Sequence, residues 1–231
     1  MVDVKSRVES VLERINRVCE RVGRSYEEVK LVAVSKTFPP EAVREAFFAG
    51  IRLVGENKVQ EALEKYEALK DLDIKWHMVG YLQRNKVKKA LKIFDFIQSL
   101  DRLSLAEEID KEAKRMGIGK VKVLVEVNIS GEPTKHGVKP EELLEFINSL
   151  SSFGSIDVRG LMTIGPLTED REKIRKSFRK MKELFDKVRQ EFPSLNWEYL
   201  SMGMTDDFEI AIEEGSNMVR IGRAIFGPRS D

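Results

Sequence analysis

The sequence predicts an α/β protein folded as a single closed (β/α)8, or TIM, barrel over residues 1–231. Three observations predict it. Eight short runs rich in aliphatic and β-branched residues alternate with longer helical patterns. The strand runs, such as Leu31-Val32-Ala33-Val34 and Val121-Lys122-Val123-Leu124-Val125, are nearly continuous in apolar character, as expected when helices cover both faces of a parallel sheet. The chain of 231 residues allows about 29 residues per unit, close to one βα repeat. No Gly/Ser-rich or Pro-rich stretch reads as a linker, so one continuous domain is expected. An open doubly wound sheet is the alternative that the same alternation permits.

The opening helix carries Val4, Val8, Val11, Leu12, Ile15, Val18, Cys19 and Val22 at helical spacing. The first strand is read at Lys30–Ser35 and its helix at Pro40–Ala49, the second strand at Arg52–Gly55 and its helix at Lys58–Leu69. The third pair is Lys75–Val79 with Leu82–Leu91, the fourth Phe96–Ser99 with Ser104–Met116, and the fifth Val121–Val127 with Glu141–Leu150. The sixth is Val158–Thr163 with a long helix at Thr168–Phe192, the seventh Glu198–Ser201 with Thr205–Glu214, and the eighth strand is Met218–Ile221. The long helix sets Ile174, Phe178, Met181, Phe185, Val188 and Phe192 on one face, with nine basic and six acidic residues elsewhere, the pattern of a solvated outer helix. Only Gly222–Asp231 follows the last strand, so the opening helix is expected to pack where an eighth helix would lie.

Composition narrows the function. Forty basic and 39 acidic residues leave a net charge of +1, which offers no general attraction to nucleic acid or an acidic membrane. No apolar run approaches the roughly 20 residues needed to cross a bilayer. The start, Met1-Val2-Asp3-Val4-Lys5, is polar and soon charged, and a cytoplasmic location is expected. One cysteine, Cys19, and two histidines, His77 and His136, provide no metal-ligand cluster, so no metal site is expected. Cys19 falls in the apolar stripe of the opening helix and reads as a core residue.

Binding and catalytic groups of such a barrel gather at the C-terminal ends of its strands. There the chain places Ser35-Lys36-Thr37, Glu56-Asn57, His77 and Gly80, Asn128, Thr163, Ser201-Met202-Gly203 and Arg220-Ile221-Gly222-Arg223. Lys36 emerges directly from an apolar strand. Desolvation there would lower its pKa and suit it to attack a carbonyl; a lysine snorkelling from the barrel mouth is the other reading. Ser201, Gly203 and Gly222 lie after strands seven and eight, where phosphate sites recur in these barrels, although glycines also serve tight loops. His77 suits a hydrogen-bonded core position as well as an active-site one. Gly50 and Gly55, Gly160 and Gly165, and Gly117 and Gly119 complete neither a Walker loop nor a dinucleotide fingerprint.

Taken together, these strand ends resemble the YggS/PROSC family of pyridoxal 5'-phosphate (PLP) homeostasis proteins, from about Leu31 to Pro228. The matching runs are Leu31–Thr37, Gly55–Glu61, Trp76–Gly80, Leu82–Lys86, Val125–Glu132, Gly160–Ile164, Leu200–Phe208 and Val219–Gly227. The resemblance implies a barrel like the N-terminal domain of alanine racemase, with PLP as an internal aldimine on Lys36. It also implies that Ser201, Gly203, Gly222 and nearby amides hold the phosphate, that Asn57 and His77 line the cofactor's polar edge, and that Arg220 faces the pyridine nitrogen. Lys135 matches a family lysine implicated in a secondary PLP contact; an ordinary loop lysine is the other reading. The family often has serine where Arg84 stands. A permanent cation at the pyridine nitrogen weakens the ring as an electron sink. No residues remain after the eighth strand for a racemase's second domain, and Tyr26, Tyr66, Tyr81 and Tyr199 include no obvious stand-in for its catalytic tyrosine. The expectation is therefore a PLP carrier acting in cofactor homeostasis, without dedicated catalytic activity or catalytic residues. It would be a monomer with PLP-dependent apo-enzymes as recipients and neither nucleic-acid nor membrane partners. A weak amino-acid racemase or other PLP enzyme, and an aldolase using Lys36 on a phosphorylated sugar, stay open.

Overall fold

A computed structural model describes residues 3–228. Among them, eight parallel strands close into a barrel in chain order. They are β1 (Lys30–Val34), β2 (Leu53–Glu56), β3 (Lys75–Met78), β4 (Phe96–Leu100), β5 (Val121–Glu126), β6 (Ile156–Met162), β7 (Tyr199–Ser201) and β8 (Met218–Ile221). Closure is made by β1 against β8, with Lys30 opposite Met218, Val32 opposite Arg220 and Ala33 opposite Ile221. The open sheet is excluded.

The helices are α1 (Val4–Arg21), α2 (Pro40–Phe48), α3 (Val59–Ala68), α4 (Val87–Ala90), α5 (Leu103–Met116), α6 (Leu143–Leu150), α7 (Arg171–Glu191), α8 (Phe208–Glu213) and α9 (Arg223–Phe226). Asp3 starts α1 by accepting the Ser6 N–H at 2.7 Å, an N-cap. The helix then buries Val8, Val11, Ile15, Val18 and Cys19. It packs against α2, α8 and α9, across the seam where the barrel closes, as its apolar stripe predicts.

Two hydrophobic bodies follow from the period-two alternation of the strands. Between sheet and helices lies the larger core, which includes Ala33, Val54, Ile97, Val123 and Phe178. Inside the barrel Val32, Phe96, Leu124, Met162 and Met218, with Leu53, Ile164 and Tyr199 against them, form an apolar plug, so the barrel is filled and not a pore.

The structure departs from the sequence reading mainly after the third strand. The helix expected over Leu82–Leu91 is a 3-10 turn at Arg84–Lys86 followed by the single α turn of α4. Arg84 and Lys88, and Lys88 and Lys92, would stand four apart on one helix face, and like charges at that spacing oppose helix formation. The segment is held instead by burial of Leu82, Val87 and Ala90 and by Arg102, which donates to the Leu82 carbonyl at 2.7 Å. Likewise α8 begins at Phe208, not Thr205, because Asp207 folds back to accept the Met204 N–H at 2.6 Å and holds residues 204–207 as a turn.

Candidate functional site

At the C-terminal end of the barrel a cavity of about 270 Å³ opens between the β1, β2, β7 and β8 loops. Val34, Val79 and Ile164 supply its apolar wall; Lys36, Asn57, Thr205, Asp206, Arg220 and Arg223 supply polar groups, and Gly222 lies on its edge. Lys36 follows β1 in a turn and, with Val32 and Val34, falls on the barrel-facing side of the alternation. It is half-buried. Asn57 follows β2 and sits tight against Gly80: a Cβ there would stand 2.5 Å from the Asn57 carbonyl oxygen. Glycine at 80 is what lets the β2 and β3 loops close on one another.

Arg220, almost fully buried, enters the cavity from β8. Its Nη1 donates to Ser201 Oγ at 2.7 Å and its Nη2 to the Thr163 carbonyl at 2.8 Å. Ser201 in turn donates to Gln98 Oε1 at 2.7 Å, and Gln98 Nε2 lies 2.9 Å from His77 Nδ1. Every donor in this row points the same way, from Arg220 through Ser201 and Gln98 to His77. Burial drives the His77 pKa down to about 3, with the Lys122 charge adding to it, so the ring is neutral near pH 7. Its Nδ1 accepts from Gln98, which leaves the proton on Nε2. Burial also lowers Arg220, to about 10, against the pull of the Glu126 and Asp207 carboxylates. It remains a cation at neutral pH. Glu126 is pushed up to about 7 by burial and by the neighbouring Asp101, against Arg220 and Arg102. Burial raises Asp207 as well.

Of the residues singled out in the sequence, Lys36, Asn57, Arg220 and Gly222 meet at the cavity. Three do not. His77, stacked on Phe96 at 5.2 Å, lies beneath it in the packed interior. Ser201 is fully buried, with its hydroxyl committed to Arg220 and Gln98. Gly203 is buried with φ +100°, and a Cβ there would meet Ala211 Cβ at 2.6 Å; its glycine lets α8 pack closely. A residue's place near a strand end does not reveal its depth. Thr205 and Arg223 also line the cavity; Arg223 stands among the strand-end groups without an assigned role, and Thr205 lies two residues past Gly203. Arg223 pairs with Asp206, and Thr205 Oγ1 accepts the Ala224 N–H at 3.3 Å, which ties the β7 and β8 loops together. Lys135 stands apart from the cavity, donating to the Gly165 carbonyl at 2.6 Å and to Glu132 at 2.9 Å as a tie between two loops.

Known proteins share this architecture. The family model for the alanine racemase N-terminal domain matches residues 8–230. A pyridoxal phosphate homeostasis protein of Aquifex aeolicus is 50% identical over 223 residues, covering 96% of this chain and 97% of that protein. PipY of Synechococcus elongatus, solved with PLP bound, is 36% identical with a TM-score of 0.81, covering 93% of this chain and all of that one. Alanine racemase of Clostridium difficile, at 17% identity and a TM-score of 0.74, shares the barrel over 58% of its own length.

Proposed function

Since the chain belongs to the pyridoxal phosphate homeostasis protein family, on the alanine racemase N-terminal barrel, we propose that it binds PLP in the strand-end cavity and serves cofactor homeostasis. The observation that carries this reading is a lysine and two arginines meeting around a 270 Å³ cavity with an apolar wall. That donor set suits a small aromatic aldehyde bearing a phosphate. When bound, the cofactor would supply an electrophilic aldehyde, and Lys36 would be the amine placed to hold it. Thr205, Arg223, Gly222 and the amides around them would hold the phosphate, with Gly203 shaping their loop. Asn57 would flank the ring. Arg220 would meet the pyridine nitrogen with the N–H groups that Ser201 and Thr163 leave over. His77 and Ser201 act from below, by holding Arg220.

A buried cation at that nitrogen would keep it unprotonated, which poorly supports carbanion chemistry. We therefore read the protein as a carrier that buffers PLP or passes it to PLP-dependent apo-enzymes, in one barrel acting as a monomer in the cytoplasm. Among the described residues no helix is long and apolar enough to cross a membrane. The test is the absorption spectrum of the protein with added PLP, followed by borohydride reduction and peptide mapping. The expected label is on Lys36, and Lys36→Ala loses the absorption band. A label confined to Lys135, or a wild-type protein without the band, overturns the reading.

A further inference from the structure

The turn that carries Lys36 is held on both flanks by side chains that never touch the cavity. Alternation along β1 directs Val32, Val34 and Lys36 to the barrel interior and Ala33 and Ser35 to the helix layer. On that outer side Lys65 of α3, buried although a lysine, donates to the Ser35 carbonyl at 2.7 Å and to Glu56 Oε1 at 2.5 Å. The Ser35 hydroxyl donates to the same carboxylate oxygen, and Glu56 Oε2 is buried with no hydrogen-bond partner. On the other flank Thr37 has φ +71°, the only non-glycine among the described residues in the left-handed region. Its N–H donates to Glu61 Oε2 of α3 at 3.2 Å.

A β-branched residue in that conformation is strained and persists only where its surroundings impose it. A buried Lys–Glu pair is also a poor choice for stability alone, since apolar residues of similar volume often do as well or better. Both features converge on one three-residue turn. We propose that Lys65 and Glu61 of α3, with Glu56 at the end of β2, are positioning residues that hold Ser35 and Thr37 so that Lys36 Nζ is aimed at the cofactor's aldehyde. This rests on the PLP reading above. The clamp sets how readily the lysine captures the aldehyde and leaves phosphate recognition alone, because the groups proposed to take phosphate stand on the β7 and β8 loops.

Three variants test it. Glu61→Ala removes the acceptor for Thr37, Glu61→Gln keeps one, and the double variant Glu56→Leu/Lys65→Met removes both buried ions together so that no unpaired charge remains. Covalent capture of PLP is followed by absorbance. Non-covalent affinity is measured with pyridoxine 5'-phosphate, whose alcohol cannot condense with an amine. Capture is expected to slow about ten-fold in Glu61→Ala and in the double variant, the scale of a small misplacement of a reacting group. Affinity for pyridoxine 5'-phosphate should be unchanged, and Glu61→Gln should match wild type. Wild-type capture in both disabling variants overturns the proposal. So does a parallel fall in melting temperature and in both ligands' binding, which would mark the cluster as structural support only. A wild-type protein that captures no PLP overturns the cofactor reading itself, and that is seen before any variant is compared.

Discussion

Ser201→Ala separates two roles that a serine at the end of β7 could have. In the structure its hydroxyl accepts from Arg220 and donates to Gln98, each at 2.7 Å, and it is wholly buried. Truncation leaves a charged guanidinium and an amide oxygen each short of a partner in the barrel interior. A charge-assisted bond is worth roughly 1.5–3 kcal/mol and a neutral one about 1, so the loss should be about 3 kcal/mol. For a chain of this size that lowers the melting temperature by about 6–12 °C. Calorimetry of the protein without cofactor measures it. The preference for PLP over unphosphorylated pyridoxal should be kept, because the hydroxyl is committed to Arg220 and Gln98. If the melting temperature moves by less than about 2 °C while that preference collapses, Ser201 is a phosphate ligand and the account of the buried row is wrong.

Two further outcomes follow from the same geometry. Arg223→Ala should weaken PLP binding about ten-fold and pyridoxal binding hardly at all, the loss shrinking with added salt as expected for an exposed cation, which titration at two ionic strengths would check. Glu126 has its pKa raised from 4.5 to about 7 on folding, so the native state binds the extra proton and stability from this group, full below pH 4.5, is lost as pH rises to 7. That loss is about 3 kcal/mol, and Glu126→Gln should remove it from denaturant-unfolding curves taken across pH 4.5–7; parallel curves would show that Glu126 is no more buried in effect than a surface carboxylate. His77 has the opposite sign, its depressed pKa adding stability as pH rises from about 3 to 6.5, so the wild-type curve alone would conceal both.

The barrel was legible because each strand is a short apolar run whose neighbours are helical, and buried parallel strands leave little else for such runs to be. Met218–Ile221 was read to the residue, and the other strands shifted by one or two at their ends. What defeated the reading was depth. Nothing in the order Trp76-His77-Met78-Val79 says that Val79 lines the cavity while His77 lies in the plug beneath; that follows from where the neighbouring strands sit in register. The clamp did leave a trace, since Lys65 falls on the apolar face of α3 with Val59 and Ala62, where a charge needs a partner. Its partners Glu56 and Ser35 come from separate strands and could be matched to it only in three dimensions. Gln98 and Glu126, polar residues within apolar strands, left the same kind of trace.

The seam between β1 and β8 has a consequence in time as well as in space. Lys36 leaves the first strand and Gly222 the last, and they share a wall only because Lys30–Ala33 pair with Met218–Ile221. Contacts between such distant parts of a chain carry the largest loop-closure cost and are among the slowest to form. Lys36 and the β7 and β8 loops therefore come together only when the ring of strands shuts. A chain that has made β1 but not β8 has Lys36 without the strand pairing that closes the cavity around it.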